Sequence, residues 1–130
     1  MNTIAVDAMG GDSAPIDIVK GAIKAKEQGV DVVLCGDKDL INPYLENYEI
    51  PVFDFPQVIS MDEDPLRAIR NKKNASIVGC MQLLRDKKVQ AVFSAGSTGA
   101  TLISAISILG KHKGVIRPVI ASVLPSLSGY

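Results

Sequence analysis

Histidine is almost missing from this chain of 130 residues. His112 stands alone between Lys111 and Lys113 in a polar, glycine-bounded loop, which predicts a solvated ring rather than an oriented base. Ser-His-Asp and zinc mechanisms built from these residues are thereby excluded. No Gly-x-Ser-x-Gly elbow, P-loop lysine motif or Cys/His metal cluster occurs either. Cysteine is held to Cys35 and Cys80, both in apolar stretches and without metal-ligand spacing, which predicts two reduced core thiols in a cytosolic protein. Charge of one sign is not in excess: 14 Lys and Arg face 14 Asp and Glu, so a general nucleic-acid partner is not expected. The opening Met1-Asn2-Thr3 carries no basic segment, and no apolar run is long enough to span a bilayer. Neither a signal peptide nor a membrane span is expected. Internal repeats and low-complexity tracts are absent too. What remains, with 47% apolar residues, is one globular domain over residues 1–130, long enough to bury roughly two-thirds of its unfolded surface.

Short apolar runs alternate with helical spacing along the chain. Thr3 to Val6 reads as a buried strand. A helix follows from Pro15 to about Gln28, with an apolar stripe of Ile16, Val19, Ala22, Ile23 and Ala25 or Lys26 and with Gly29 as its stop. Val30 to Cys35 is a second buried strand, Gly36-Asp37 opens a short helix through Asn47, and Ile50 to Phe55 is a weaker strand between prolines. Asn74-Ala75-Ser76 caps a helix carrying Ile77, Val78, Met81, Leu83 and Leu84. Val89 to Phe93 is a strand, Thr98 to Leu109 a strongly apolar helix expected to be buried, and Val115 to Val123 holds a further strand. This order predicts an α/β fold: three layers around a doubly wound, mostly parallel sheet. Pro125 to Tyr130 reads as a loop with no covering helix after it, so the sheet is expected to be incomplete at the C-terminus.

Two glycine-rich turns carry the functional signal. The first, Asp7-Ala8-Met9-Gly10-Gly11-Asp12-Ser13-Ala14-Pro15, leaves the first strand; the second, Ser94-Ala95-Gly96-Ser97-Thr98-Gly99-Ala100, leaves the strand ending at Phe93. Glycine lets backbone approach a ligand closely, and a turn that feeds a helix offers free N–H groups and a positive dipole end to an anion. Against this, Asp7 and Asp12 oppose direct phosphate contact, and Asp12 or Ser13 has an alternative role as a helix cap. Ser97 or Thr98 is equally a cap for the helix it precedes. Between Ile59 and Lys73 the chain passes from Asp62-Glu63-Asp64 to Arg67, Arg70, Lys72 and Lys73, either a solvated face or a surface for anions or an acidic partner. Arg117, inside an apolar run, calls for a partner.

Together these segments resemble the bacterial phosphate acyltransferases of phospholipid synthesis (the PlsX type). Ile4 to Asp12 with Ala14-Pro15 is the most specific match. Asp64-Pro65 with Ala68 to Lys73, then Ser94 to Ala100, then Arg117-Pro118 follow in the same order. The resemblance implies a fold similar to phosphotransacetylases and isopropylmalate dehydrogenases, in a homodimer that is cytosolic or membrane-peripheral. It implies transfer of a long-chain acyl group from acyl carrier protein to inorganic phosphate, giving acyl phosphate for a membrane glycerol-phosphate acyltransferase, with no metal or other cofactor. Phosphate is itself the nucleophile, so positioning and charge stabilisation suffice. Ser97 and Thr98 are the expected catalytic contacts. Asp7, Gly10, Gly11, Gly96 and Gly99 are expected to shape the phosphate site, and Arg67, Arg70, Lys72 and Lys73 to bind phosphate or carrier. The chain departs from the family in carrying Ser97 where asparagine is usual, and family members are more than twice as long. A truncated, non-catalytic module that binds anions or a partner is the alternative; a coenzyme A-dependent acetyl or butyryl transferase is a third reading.

Overall fold

A computed structural model of the chain describes residues 2–127; Met1 and the end of the expected terminal loop, residues 128–130, lie outside it. Four strands form one sheet: β1 (Thr3–Asp7), β2 (Asp31–Gly36), β3 (Val52–Asp54) and β4 (Ala91–Phe93), in the order β3-β2-β1-β4 and parallel throughout. The helices are α1 (Ile16–Glu27), α2 (Lys38–Ile41, continued by a 3-10 turn), α3 (Pro65–Asn71), α4 (Ser76–Arg85) and α5 (Thr98–Leu109). Both faces of the sheet are covered, as expected for a doubly wound fold. On one face Val6, Val32 and Leu34 pack with Val19 and Ala22 of α1 and Ile41. On the other, Ala5, Val33 and Cys35 pack with Cys80 and Leu83 of α4. Side chains of successive strand residues point to opposite faces, so an uninterrupted apolar strand serves two cores at once.

A third cluster lies beside the sheet and meets it at β4. Ile69 of α3, Ile77, Val78 and Met81 of α4 and Ile103 of α5 pack together with Val92 of β4; α5 packs on α4, and α3 packs on α5. On the sheet side, Gly79 lets α4 approach closely: a Cβ there would overlap the ring of Phe55, which packs with the second cluster. The Cys80 thiol is pushed up from its ordinary range by its hydrogen bond with the Cys35 thiol and by burial, and both cysteines are free and buried, as expected.

Several expectations need correction. α3 falls in a stretch read only as a charge run, although Asp64-Pro65 is a strong start signal: the Asp64 carboxylate accepts from the Arg67 N–H at 2.8 Å and Pro65 is the first helical residue. Ile16 is exposed, because α1 begins only there and its buried residues are Val19 and Ala22. Pro15, joined to Ala14 by a cis peptide, is the cap residue, and no side chain caps α1, so neither Asp12 nor Ser13 does. Gly29 does end α1, at φ +82°. α5 is mostly half-exposed; only Ala100 and Ser104 are buried. The strand expected within Val115 to Val123 does not form; Ile116, Val119 and Val123 are exposed there and Arg117 lies on the surface without a strand around it. β4 is therefore an edge, and beside its half-exposed Phe93 an apolar groove of about 400 Å3 runs along Ile4, Val6, Ile18 and Ala22.

Glycine tests this packing with opposite signs. Gly21 in α1 has open space where a Cβ would go, so Gly21→Ala is expected to stabilise by about 0.5–1 kcal/mol through backbone entropy. Gly79→Ala is expected to cost about 1–3 kcal/mol by overpacking against Phe55. Urea denaturation midpoints moving in the same direction would contradict this assignment.

Candidate functional site

The chain runs from β1 outward to β2 and β3, then returns to place β4 on the other side of β1. Between β1 and β4 the winding reverses. Open α/β sheets bind ligands at this topological switch point. Both glycine-rich turns emerge here because β1 and β4 are neighbours, with Val6 in register with Phe93.

The turns are tied through one carboxylate. Asp7, only 4% exposed, accepts the Ser94 hydroxyl at Oδ2 over 2.7 Å and the Met9 N–H at Oδ1 over 3.3 Å. The Ser94 oxygen in turn accepts the Gly96 N–H at 3.1 Å. A Cβ on Gly10 would stand 2.5 Å from Asp7 Oδ2 and 3.0 Å from the Gly96 nitrogen. Gly11, at φ +110°, lies over the Ala95 carbonyl. Glycine at position 10 is thus a steric requirement, and at position 11 also a conformational one.

Where the turns meet, a cavity of about 10 Å3 is lined by Asp7, Gly10, Ser94, Gly96 and Ser97 with Ser76 and Thr101. The amino ends of α4 and α5 both border it, through Ser76 and Ile77 and through Ser97 and Ala100. Ser97 caps α5: its Oγ accepts the Ala100 N–H at 3.2 Å and its carbonyl accepts the Thr101 hydroxyl at 3.0 Å. Thr98 is exposed at the first helical position. Gly99 faces elsewhere, with Pro65 of α3 2.8 Å from where its Cβ would be.

None of the four expected cations lines that cavity. Arg67 and Lys72 border a separate surface hollow of about 280 Å3 with Glu63, Asp64 and Asn71, while Arg70 and Lys73 are exposed. The Lys72 ammonium is already engaged, donating to the Val58 carbonyl at 2.6 Å and pairing with Glu63 at 2.6 Å. That pair fastens the approach to α3. Sequence reasoning missed Ser76, whose place in a helix start hid that it faces the cavity, and the Asp7–Ser94 bond, which joins residues 87 positions apart. The only available signal was that both residues end parallel strands. Among the described residues no cluster of His, Cys, Asp and Glu could hold a metal, and no helix is long and apolar enough to cross a membrane.

The model of the family described as fatty acid synthesis protein matches residues 2–130. The chain belongs to that family. Proteins named phosphate acyltransferase are among the relatives of this fatty acid synthesis family member. That of Desulforamulus reducens is 46% identical over 99% of this chain and 40% of its own length. Those of Gloeothece citriformis and Pelotomaculum thermopropionicum are 48% and 47% identical over 95% and 97% of this chain. The chain spans about 40% of the length of these relatives.

The Glu63 carboxyl is held below its ordinary value of 4.5 by the Lys72 ammonium and by the Ser60 N–H, which donates to it at 2.8 Å. A lowered folded-state value means this fastening is fully present above about pH 4.5 and is lost as pH falls through the lower, folded-state value. The Ser60 amide resonance is expected to titrate below 4.5, and Lys72→Met to move its midpoint upward. An unchanged midpoint in that variant would remove Lys72 as the cause.

Proposed function

We propose that this chain is the N-terminal portion of an enzyme that transfers a long-chain acyl group from acyl carrier protein to inorganic phosphate in phospholipid synthesis. The observation that carries this reading is 46% identity across nearly the whole chain to a protein named phosphate acyltransferase. Two glycine turns interlocked at the switch point of the sheet support it.

In the proposed reaction a phosphate oxygen attacks the thioester carbonyl carbon and a carbon–oxygen bond forms. The carbon–sulfur bond then breaks, and the carrier sulfur leaves with a proton as the thiol. The chain's share of this work is positioning and stabilisation of charge. Gly96, Ser97 and Thr98 at the amino end of α5 meet the phosphate or the thioester oxygen, and Gly99 lets Pro65 pack against that turn. Asp7, Gly10 and Gly11 hold the facing turn. Arg67, Arg70 and Lys73 present an exposed basic surface to the acidic carrier, while Lys72 orders the loop before them through Glu63. The Ser97 hydroxyl, already accepting the Ala100 N–H, has one O–H to donate where an asparagine amide would offer two N–H donors and a carbonyl acceptor. A homodimer, cytosolic or peripheral to the membrane that houses a glycerol-phosphate acyltransferase, completes the proposal.

Hydroxylamine trapping on the polypeptide extended to the length of its relatives tests it. The expected result is phosphate-dependent loss of the carrier thioester with a trapped acyl hydroxamate. Anion or carrier binding with no thioester consumption would instead favour the non-catalytic module.

A further inference from the structure

The cavity at the junction of the turns is unusual in what it leaves unmatched. Ser76 is 3% exposed, yet among the described residues no hydrogen bond engages its hydroxyl, and the atom is not sealed from open space. It faces the same cavity as Asp7. A carboxylate offers about four lone-pair positions. Asp7 uses one on Ser94 and one on Met9, so acceptor capacity remains. One wall therefore accepts only, and another can donate. The Ser76 N–H is taken by the Gln57 carbonyl and the Ala100 N–H by Ser97 Oγ, so what α4 and α5 add here is the positive dipole ends of two helices and the first-turn N–H groups not engaged in this way. At about 10 Å3 the space is close to the roughly 10–15 Å3 that one water requires. It takes one oxygen atom, not a whole tetrahedral anion.

We propose that this cavity receives a single protonated oxygen, the P–OH of hydrogen phosphate, which donates to Asp7 and accepts from Ser76 while the remaining phosphate oxygens face the α5 amino end. This rests on phosphate being the substrate proposed above, and it makes Asp7 and Ser76 the residues that select it. A bare anion such as sulfate, which carries no proton at neutral pH, would bring its negative charge against Asp7 with no hydrogen bond in return. The carboxylate thereby turns from an obstacle into a discriminator. An unpaired buried acceptor facing the wrong ligand rejects it more strongly than a lost contact would. Water is the other source of a hydroxyl of this size.

Isothermal titration of the chain with inorganic phosphate and with sulfate at neutral pH separates these cases. Phosphate is expected to bind at least about tenfold more tightly than sulfate, the equivalent of one hydrogen bond to a charged group. Ser76→Ala is expected to weaken phosphate by about tenfold while leaving weak sulfate binding unchanged. In Asp7→Asn, whose amide can donate, the preference collapses as sulfate gains. Circular dichroism melts of both variants show whether they fold, and Ser76→Ala stands as the decisive one if Asp7→Asn does not. Equal affinity for the two anions, no binding of either, or wild-type phosphate affinity in Ser76→Ala overturns the inference and leaves a water cavity. Acyl hydroxamate formation by the longer polypeptide is read separately. The proposed activity can therefore survive that failure, and the selectivity can survive loss of the activity.

Discussion

The hydrogen bond from Ser94 to Asp7 is the contact on which the rest of this site depends. A carboxylate buried at the end of a central strand must find donors, because its desolvation is otherwise uncompensated. The parallel pairing of β1 with β4 brings those donors from a turn far away in the sequence. The carboxylate therefore fixes where the second turn sits, and with it where α5 begins. Ser94 completes the linkage by accepting from the Gly96 N–H, so one side chain both satisfies Asp7 and closes its own turn.

Glycine makes the contact possible. Position 10 tolerates no side chain because Asp7 and the Gly96 backbone already occupy the space, and Gly96 has the Gly10 Cα 3.1 Å from where its own Cβ would be. The same economy recurs where Gly99 admits Pro65 of α3 and Gly79 admits Phe55 against α4. Close approach at these points gathers α3, α4 and α5 beside the two turns. The basic residues of α3 are thereby placed near the amino end of α5 without lining the cavity itself.

Much of this was legible in the sequence, and the failures have physical causes. The buried parallel strands announced themselves as unbroken apolar runs, and Pro15 and Gly29 marked the limits of α1 within a residue or two. The two glycine turns were visible as a pair, but nothing local could tell that they touch, since that follows from strand order. α3 was hidden because the seven residues after Asp64, beginning with Pro65, read as a charge gradient before they read as two turns of helix. Val115 to Val123 failed in the other direction. An apolar, β-branched run makes a strand only when it has an edge to pair with and a core to enter, and here its residues stay exposed. Ser76 was legible as a helix start and not as a cavity wall, because which face a first-turn residue presents depends on what packs beside it.

A double-mutant cycle on Asp7→Ala and Ser94→Ala, followed by urea denaturation, tests the central claim most directly. If this hydrogen bond joins the two turns, the pair couples by about 1.5–3 kcal/mol, the range for a bond to a charged group, and the double variant is hardly less stable than the worse single one. Additive losses would contradict the account, since the turns would then be held in place by something other than this carboxylate.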